Sequence, residues 1–313
     1  MRVVGVIDFG GPEALRVVEV PDPPAPGPGK IKVRVHAATV NPTDTYMRNG
    51  AYGRILGDRR PPFIPGMDAA GVVAALGEGV TGFAVGDRVM AVVMPNRAEG
   101  GAYAEQVVVP AGAVAHAPRD VSHVEAATLP MNGLTARLSL DMLALGSGQT
   151  LAVTGAAGCY GGYVVQLAKA DGLRVIADAS EADDQLVSDL GADVVLRRGD
   201  DIAARIREVV PGGVDALADG AVLNALALPA VRDDGAVAAV RPFEGETERG
   251  ITIHQVWIAQ YATAGEKLDR LGRLVDEGAI TLRVARTFAA DDAAEAHRIL
   301  ERGGTRGRLV IEL

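Results

Sequence analysis

The sequence predicts an α/β protein in which a doubly wound parallel sheet domain is inserted into a split, mostly β barrel domain. Short strand-like runs joined by Gly/Pro turns occupy residues 1 to about 120, as in compact barrels. Apolar strand-like and helix-like segments then alternate from Leu151 to about Trp257, which is typical of a doubly wound sheet. A last stretch of two helices and two strands returns the chain to the first domain.

We expect the barrel domain to comprise residues 1–122 and 262–313, and the sheet domain residues 123–261. The barrel strands are predicted at two places within 1–20, at 31–37, and within 66–77, 82–93 and 100–110. In the sheet domain, strands are predicted at 151–154, 174–178, 193–196, 214–218 and 235–240, with helices at 161–171, 182–190, 201–209 and 222–232. The returning segment predicts a helix at 264–277, a strand at 282–288, a helix at 291–302 and a strand at 308–311.

The segment from Gln149 to Ser180 is predicted to be a strand, a glycine turn, a helix and a second strand. Small residues in such a turn let backbone amides and a helix N-terminus approach a pyrophosphate, as in Rossmann-type sites. The alternative is a plain tight turn between strand and helix. We interpret it as a dinucleotide site, whose turn residues are Gly155, Ala156, Ala157, Gly158, Cys159, Tyr160 and Gly161.

Composition limits the class of protein. The 313 residues are 48% apolar and 23% charged, which is ordinary for a globular protein. No apolar run is long enough to span a bilayer, so we expect a cytoplasmic protein with no membrane partner. The net charge of −9 argues against a nucleic-acid partner. The single cysteine, Cys159, excludes an intrachain disulfide framework and a multi-cysteine zinc lobe.

Several stretches together resemble the zinc-independent medium-chain dehydrogenase/reductases of the quinone oxidoreductase (zeta-crystallin-like) family. They are N-P-T-D-T-Y-M-R-N-G-A-Y (41–52), P-G-M-D-A-A-G-V-V (65–73), A-A-T-L-P-M-N-G-L-T-A (126–136), G-A-A-G-C-Y-G (155–161) and the tail at 288–310. The resemblance implies a GroES-like barrel domain carrying an inserted Rossmann domain, with the ligand cleft between the two domains. It also implies a homodimer.

The resemblance implies that zinc is absent. Zinc-bearing relatives have a cysteine where this chain has Asn41, a His-Glu pair where it has Met67-Asp68, and a further ligand close to Met131. Amide and thioether groups do not replace the thiolate and imidazole ligands of a tetrahedral zinc site. Alcohol dehydrogenation, which needs a Lewis acid, is then poorly supported. Hydride transfer from a nicotinamide to an electron-poor acceptor remains.

The resemblance assigns the catalytic cleft to Tyr46, Tyr52 and Asn41, with Arg48 as a neighbour. A tyrosine hydroxyl could donate the proton or orient the acceptor, and an ordinary packed tyrosine is the alternative. Thr135 matches a family position near the nicotinamide ribose. The loop from Ala51 to Pro65 is basic, with Arg54, Arg59 and Arg60; we interpret it as a solvated loop, although it could recognise an acidic group.

The sequence gives conflicting indications on the nicotinamide cofactor. Asp178 lies where an acidic residue would hold the ribose 2′-hydroxyl of NADH, although registering the strand on the family places Ala179 there. Ser180 follows in a stretch without lysine. Arg197 and Arg241 depart from the family and could bind a 2′-phosphate, or could be solvated surface residues. We favour NADPH, with NADH as the alternative.

The sequence therefore predicts a metal-independent NAD(P)H-dependent reductase that transfers hydride to a small-molecule quinone or α,β-unsaturated carbonyl. Two alternatives stay open. One is an enoyl reductase or tailoring enzyme for a specific biosynthetic intermediate. The other is a non-catalytic NADPH-binding protein.

Overall fold

The computed structural model describes residues 1–313 apart from the side chains of Arg54 and Ile55. The role considered for Arg54 therefore lies outside the described residues. The chain forms two compact units. The barrel unit comprises Met1–Met131, Ala262–Asp276 and Leu282–Leu313, and the sheet unit comprises Asn132–Tyr261 and Glu277–Thr281.

The strands are β1 (Arg2–Val6), β2 (Leu15–Glu19), β3 (Lys30–Thr39), β4 (Asp68–Leu76), β5 (Arg88–Val92), β6 (Gln106–Pro110), β7 (Val114–His116), β8 (Thr150–Thr154), β9 (Arg174–Ala179), β10 (Val194–Arg197), β11 (Val214–Asp219), β12 (Val231–Ala239), β13 (Thr252–Gln255), β14 (Val284–Ala289) and β15 (Arg308–Glu312). The helices are α1 (Pro42–Arg48), α2 (Gly53–Leu56), α3 (His123–Ala126), α4 (Pro130–Leu143), α5 (Cys159–Ala170), α6 (Asp184–Asp189), α7 (Ile202–Val209), α8 (Gly265–Asp276) and α9 (Ala293–Arg302).

The barrel unit is built on a mostly antiparallel sheet in the order β14-β15-β3-β4-β5-β7, with β6 also paired to β3. Strand β3 illustrates the pattern of such a sheet. Its apolar residues alternate with Lys32, Arg34 and His36, so one face of the strand is buried and the other is half-exposed. Inward-facing Val, Ile and Ala side chains from these strands form one core. The C-terminal strand β15 pairs antiparallel with β3, which closes the split unit.

The sheet unit contains a six-stranded sheet in the order β10-β9-β8-β11-β12-β13. All its neighbouring strands run parallel. The chain moves outward from β8 to β10 on one side and continues from β11 to β13 on the other. The strand order therefore reverses between β8 and β11, where doubly wound sheets bind their ligands. The predicted fold class is confirmed.

The sheet unit differs from the prediction in two elements: β13 is a strand that was not predicted, and residues 222–232 do not form an α-helix. A 3₁₀ helix covers Asn224–Ala230 and β12 begins at Val231. Pro229 lies inside this segment, and a proline cannot donate the hydrogen bond that an α-helix interior requires. Val222 and Asn224 also adopt positive φ angles of 60° and 54°, which the right-handed α-helix excludes.

The domain bounds differ from the prediction at two places: residues 123–131, predicted in the sheet domain, pack with the barrel unit, and residues 277–281, predicted in the barrel domain, pack with the sheet unit. Helix α3 begins at the predicted capping box, since Ser122 Oγ accepts a hydrogen bond from Glu125 N at 3.1 Å. At the end of the segment, Met131 N donates to Asp68 Oδ1 at 2.6 Å. Among the described residues, no helix is both long and apolar enough to cross a membrane.

Candidate cofactor and substrate sites

The glycine turn lies directly after β8, at the point where the strand order of the sheet reverses. Gly155 has a φ of 67°, a conformation that only glycine adopts readily. Gly158 N donates to Gly155 O at 3.0 Å, and Gly158 is the N-cap of α5. The turn therefore leads straight into the N-terminus of a twelve-residue helix, the feature that attracts an anionic group.

Close backbone contacts require glycine at positions 155 and 161. A Cβ atom on Gly161 would lie 2.4 Å from Gly155 O, and a Cβ atom on Gly155 would lie 2.9 Å from Gly220 C. A side chain on Gly161 would push α5 away from the turn, and one on Gly155 would push the turn away from Gly220, which follows β11. Ala156 and Ala157 are buried beside them. The small residues in this stretch therefore bring the helix, the turn and the neighbouring strand together.

Tyr160 is bulky for such a turn, and its hydroxyl is paired with a neighbouring helix. The two oxygens, Tyr160 OH and Ser139 Oγ, are 2.8 Å apart. The ring lies against Gly220, where a Cβ atom would come within 3.0 Å of it. Cys159, the first residue of α5, is half-buried. The ring of Tyr160 is thus accommodated because residue 220 has no side chain.

Asp178 is turned toward the glycine turn. Its Oδ1 accepts a hydrogen bond from Ala156 N at 3.2 Å, and the residue is 6% exposed. Burial raises the pKa of this carboxyl group above its usual value, and the hydrogen bond donated by the backbone amide of Ala156 opposes that change. The carboxylate therefore stabilises the turn by satisfying a backbone donor.

Two acids and two arginines meet at the ends of β9 and β10. Arg198 Nη2 lies 3.4 Å from Asp183 Oδ2, and Ser180 Oγ donates to the same oxygen. Arg197 Nη2 lies 3.5 Å from Glu181 Oε2. Both guanidinium groups are about half exposed, at 48% and 53%. Both arginines are therefore accessible to solvent, and each is paired with a carboxylate that offsets its positive charge.

Two further predicted cofactor residues lie elsewhere in the sheet unit. Thr135 is buried in α4, and its carbonyl accepts a hydrogen bond from Ser139 Oγ at 2.9 Å. Arg241 is half-buried and follows the end of β12.

In the barrel unit, Tyr46 and Tyr52 lie together as a pair. Their ring centroids are 5.7 Å apart at an angle of 45°. Tyr46 is on α1 and is 37% exposed, and Tyr52 N donates to Tyr46 O at 3.2 Å. The chain turn between them therefore places two phenol rings side by side.

Asn41, the third predicted catalytic residue, is fully buried and belongs to an ionic cluster. Its Nδ2 donates to Asp68 Oδ2 at 2.8 Å, and its Oδ1 accepts from Arg308 Nη2 at 2.8 Å. Arg308 Nη2 is 2.9 Å from Asp68 Oδ2, and Thr39 Oγ1 donates to that oxygen at 2.6 Å. Both ends of the Asn41 amide are thus fixed by a carboxylate and a guanidinium group.

Arg48, predicted as a neighbour of the tyrosines, is 3% exposed and joins a second buried chain of hydrogen bonds. Its Nη1 lies 3.4 Å from His297 Nδ1, and His297 Nε2 lies 3.2 Å from Tyr103 OH. Since a guanidinium group only donates, His297 accepts at Nδ1 and carries its proton on Nε2. Tyr103 OH then donates to Asp44 Oδ2 at 3.3 Å.

Asp44 is fully buried at the end of this chain. It also accepts hydrogen bonds from Asn41 N at 2.8 Å and Gly66 N at 2.9 Å. Burial raises the pKa of Asp44 to about 7, against the effect of these amides. Burial also lowers the pKa of His297 to about 3, and the charge of Arg48 acts in the same direction. Asp44 therefore joins α1 to the backbone of two loops.

Comparison with known proteins shows the family. Residues 27–119 match the model of the alcohol dehydrogenase GroES-like domain, and residues 160–311 match that of the zinc-binding dehydrogenase. The mitochondrial NAD(P)H oxidoreductase RTN4IP1 of Mus musculus is 32% identical over 89% of this chain and 80% of its own length. The chain belongs to the medium-chain dehydrogenase/reductase family.

Solved structures of related proteins match this medium-chain dehydrogenase/reductase over its whole length. A mycobacterial quinone oxidoreductase superposes with a TM-score of 0.84 and 32% identity, covering 100% of both chains. A mycobacterial protein solved in complex with NADPH gives a TM-score of 0.85 and 32% identity, again over 100% of both. The predicted family and fold are therefore confirmed.

The zinc-binding family model raises the question of whether this medium-chain member has donors for zinc. Within the part of the chain that the structure describes, no three His, Cys, Asp or Glu residues are grouped so that they could hold a metal ion. Asp68 stands in the Met67-Asp68 pair, where zinc-bearing relatives have a His-Glu pair, and its carboxylate is paired with Arg308. A divalent cation there would meet the Arg308 guanidinium group and the Asn41 amide, which do not suit zinc.

Two acidic residues that organise the sites were not assigned a role from the sequence. Asp219 ends β11 and accepts hydrogen bonds from Thr154 Oγ1, Leu223 N and Asn224 N at 2.8–3.0 Å, which fixes the loop beside the glycine turn. Asp68 organises the cluster around Asn41. An acid at the end of a predicted buried strand is a signal that could have found Asp219, because buried carboxylates need partners.

Proposed function

We propose that this medium-chain oxidoreductase is an NADPH-dependent reductase that transfers hydride to quinones or 2-enones without a metal ion. The observation that carries the proposal is the glycine turn at the reversal point of the parallel sheet. Gly155 and Gly161 let the turn pack closely against its neighbouring backbone, and the N-terminus of α5 supplies aligned amides for a pyrophosphate. The relatives named NAD(P)H oxidoreductase and quinone oxidoreductase support the same reaction class.

Bound NADPH would supply the hydride. This chain's own residues would then stabilise negative charge on the acceptor oxygen and return a proton to it. Tyr46 and Tyr52 are the candidates, because each carries a hydroxyl donor and Tyr46 is partly exposed. Asn41 would act as a positioning residue, since its amide is held between Asp68 and Arg308.

The donor chemistry around Asn41 supports the choice of acceptor. Without a Lewis acid, an isolated carbonyl is poorly activated for hydride transfer. A quinone or enone delocalises the developing charge over its conjugated system, so one or two hydrogen-bond donors suffice. The tyrosine pair is suited to that role.

The preference for NADPH rests on the carboxyl ends of β9 and β10. Asp178 is engaged by Ala156 N, which makes it a weak candidate for the ribose 2′-hydroxyl. Arg197 and Arg198 supply exposed guanidinium groups nearby, and Arg241 is the further candidate. Glu181 and Asp183 oppose them, so we expect a moderate preference, with NADPH bound about tenfold more tightly than NADH.

Separate titrations with NADPH and NADH, followed by fluorescence, test the cofactor site. Cofactor oxidation is then measured with 1,4-benzoquinone, 9,10-phenanthrenequinone and simple enones. Saturable binding with turnover of both quinones and enones is the expected result. Failure of both nucleotides to bind would refute the proposal. Turnover of one specific enone with indifference to quinones would instead favour an enoyl reductase, and binding without turnover would favour a non-catalytic protein.

Tyr46→Phe and Tyr52→Phe test the proton donor, with Tyr261→Phe as the control, whose hydroxyl bonds Asp141 in the sheet unit. We expect the variant that removes the donor to lower kcat about 100-fold with little change in the Kd of NADPH. A double variant with wild-type kcat would refute a chemical role for the pair. The cytoplasmic location and the homodimer stay predictions.

A further inference from the structure

The barrel unit contains a cavity of about 310 Å³, and none of its lining residues is among those proposed above for the cofactor or the reaction. Residues from three loops line it, at 20–24, 59–64 and 95–100. Its size is at the lower end of the range for small-molecule sites in proteins. Most of the first two loops is proline or flanks proline, and proline restricts backbone motion. The cavity is therefore formed in advance of any ligand.

The inner wall of the cavity is apolar. Met47, Leu56 and Ile64 line it and are 2%, 4% and 6% exposed. Phe63 also lines it, with its ring stacked on that of Phe9 at a centroid distance of 5.0 Å. A ligand with a short aliphatic or aromatic body would bury apolar surface here.

The polar part of the lining is basic. Arg59, Arg60 and Arg97 face two acids, Asp22 and Glu99. Arg97 is held by backbone carbonyls, with its Nη2 3.0 Å from Gly100 O and its Nη1 on Val108 O. Asp22 accepts from Gln106 Nε2 at 3.3 Å. The side chains lining the cavity therefore carry one positive charge in excess.

Arg59 is the residue that indicates the ligand. Its Nη1 is shielded from solvent and has no hydrogen-bond partner among the described residues. A shielded guanidinium N–H without an acceptor is unfavourable, and an anionic oxygen satisfies both its charge and its hydrogen bond. A carboxylate fits this requirement, since guanidinium and carboxylate groups pair in a planar geometry.

We propose that this cavity binds a small amphipathic monocarboxylate, with its carboxylate on Arg59 and its short apolar body against Met47, Leu56 and Ile64. Met47 follows Tyr46 in α1, and Leu56 N donates to Tyr52 O at 3.1 Å, so the cavity adjoins the tyrosine pair. None of its lining residues is assigned to the cofactor or the reaction, so the inference does not depend on the reaction. It also gives the basic loop between Ala51 and Pro65 a role in recognising an acidic group.

Calorimetric titration of the full chain with hexanoate tests the proposal, with hexanamide as the matched neutral ligand. We expect one saturable site for hexanoate and at least about tenfold weaker binding of hexanamide. Arg59→Gln should remove that difference, and Arg59→Lys should retain part of it because the charge remains. Arg16→Gln, an exposed arginine on β2, is the control and should bind like the wild type.

Ala98→Trp provides an independent test that leaves Arg59 in place. Ala98 is an exposed residue lining the cavity, so the indole should fill the space and abolish hexanoate binding. Ala84→Trp, on another exposed loop, is its control. The proposal is wrong if hexanoate does not bind the wild type saturably, if hexanamide binds equally well, or if Ala98→Trp binds hexanoate normally.

Discussion

Asp68 and Arg308 form an ion pair that is shielded from water, with 0% and 5% of their side chains exposed. Removing one charge of such a pair leaves the other buried without compensation. Asp68→Asn keeps the shape of the side chain and should lower the free energy of unfolding by about 3–5 kcal/mol, measured by urea denaturation. The control is Asp291→Asn, which breaks the exposed pair with Arg2 and should cost under about 1 kcal/mol. Equal effects of the two variants would contradict this account.

Asp44 gives the protein a pH dependence of predictable sign. Its pKa is raised from 3.8 to about 7 in the folded state. Between these values the folded protein holds a proton that the unfolded chain has lost, so stability falls as pH rises through this window. From pH 5 to pH 8 this group should lower the free energy of unfolding by about 2–3 kcal/mol.

Asp44→Asn should remove that decline, although it weakens the protein overall because its NH₂ group cannot accept the hydrogen bonds of Asn41 N and Tyr103 OH. The measurement is urea denaturation at pH 5 and pH 8, with Asp291→Asn compared at the same values. Parallel pH profiles for the wild type and Asp44→Asn would show that Asp44 is not the titrating group.

At the scale of single residues, the sequence predicted candidate residues for the sites but not which side chains they contact. The resemblance placed Asn41 at the site, yet its partners could not be predicted, because Arg308 is 267 residues away in the sequence and reaches Asn41 only through the pairing of β15 with β3. Local patterns were more informative at Gly155 and Gly161, since glycine spacing reflects contacts within a short segment. Asp178 was predicted as a candidate for the ribose 2′-hydroxyl, which stays a prediction, and only the fold shows its hydrogen bond with Ala156 N.

At the scale of elements, the loop between β11 and β12 stores backbone strain. Val222 has a φ of 60° and is 42% exposed, and a β-branched residue is disfavoured in that conformation. Asp219 holds the loop by accepting hydrogen bonds from Leu223 N and Asn224 N. The strain is therefore kept in place by a buried carboxylate beside the glycine turn.

Val222→Gly should raise the free energy of unfolding by about 1 kcal/mol, because relief of the strain exceeds the added flexibility of glycine in the unfolded chain. Thermal denaturation is the readout. Val85→Gly is the control, since Val85 is 67% exposed and lies outside the left-handed region; this change should destabilise slightly. A loss of stability in Val222→Gly would show that the loop is not strained.

Element types followed from periodicity along most of the chain, and the exception is instructive. The alternating pattern predicted the parallel strands β8 to β11 within a few residues, because buried strands carry continuous apolar runs. Residues 222–232 have an equally apolar pattern, but Pro229 and the capping by Asp219 make them a loop and a 3₁₀ helix. The periodicity of apolar residues does not reveal a proline or a capping carboxylate that prevents an α-helix.

At the scale of the whole molecule, the sheet unit is largely a continuous insertion, 132–261, whereas the barrel unit is assembled from three segments. Each unit has a buried apolar cluster of its own. The proposed cofactor site lies in the sheet unit and the proposed carboxylate site in the barrel unit. Two ligands should therefore stabilise two different parts of the same chain.

The single tryptophan, Trp257, lies in the sheet unit and is 53% exposed, so its fluorescence reports on that unit. NADPH at about 100 times its Kd should stabilise the state to which it binds by about 2.7 kcal/mol. The unfolding transition followed at Trp257 should therefore move to higher urea concentration. Gly161→Ala, whose new Cβ atom would lie 2.4 Å from Gly155 O, should abolish the shift. Gly272→Ala on α8 should keep it, because its Cβ atom would lie 3.3 Å from the terminal methyl group of Met90 and 3.7 Å from His116 O, the nearest backbone atom outside the helix. An unchanged Trp257 transition in the wild type would place NADPH binding outside the glycine turn, and the proposed function would fall with it.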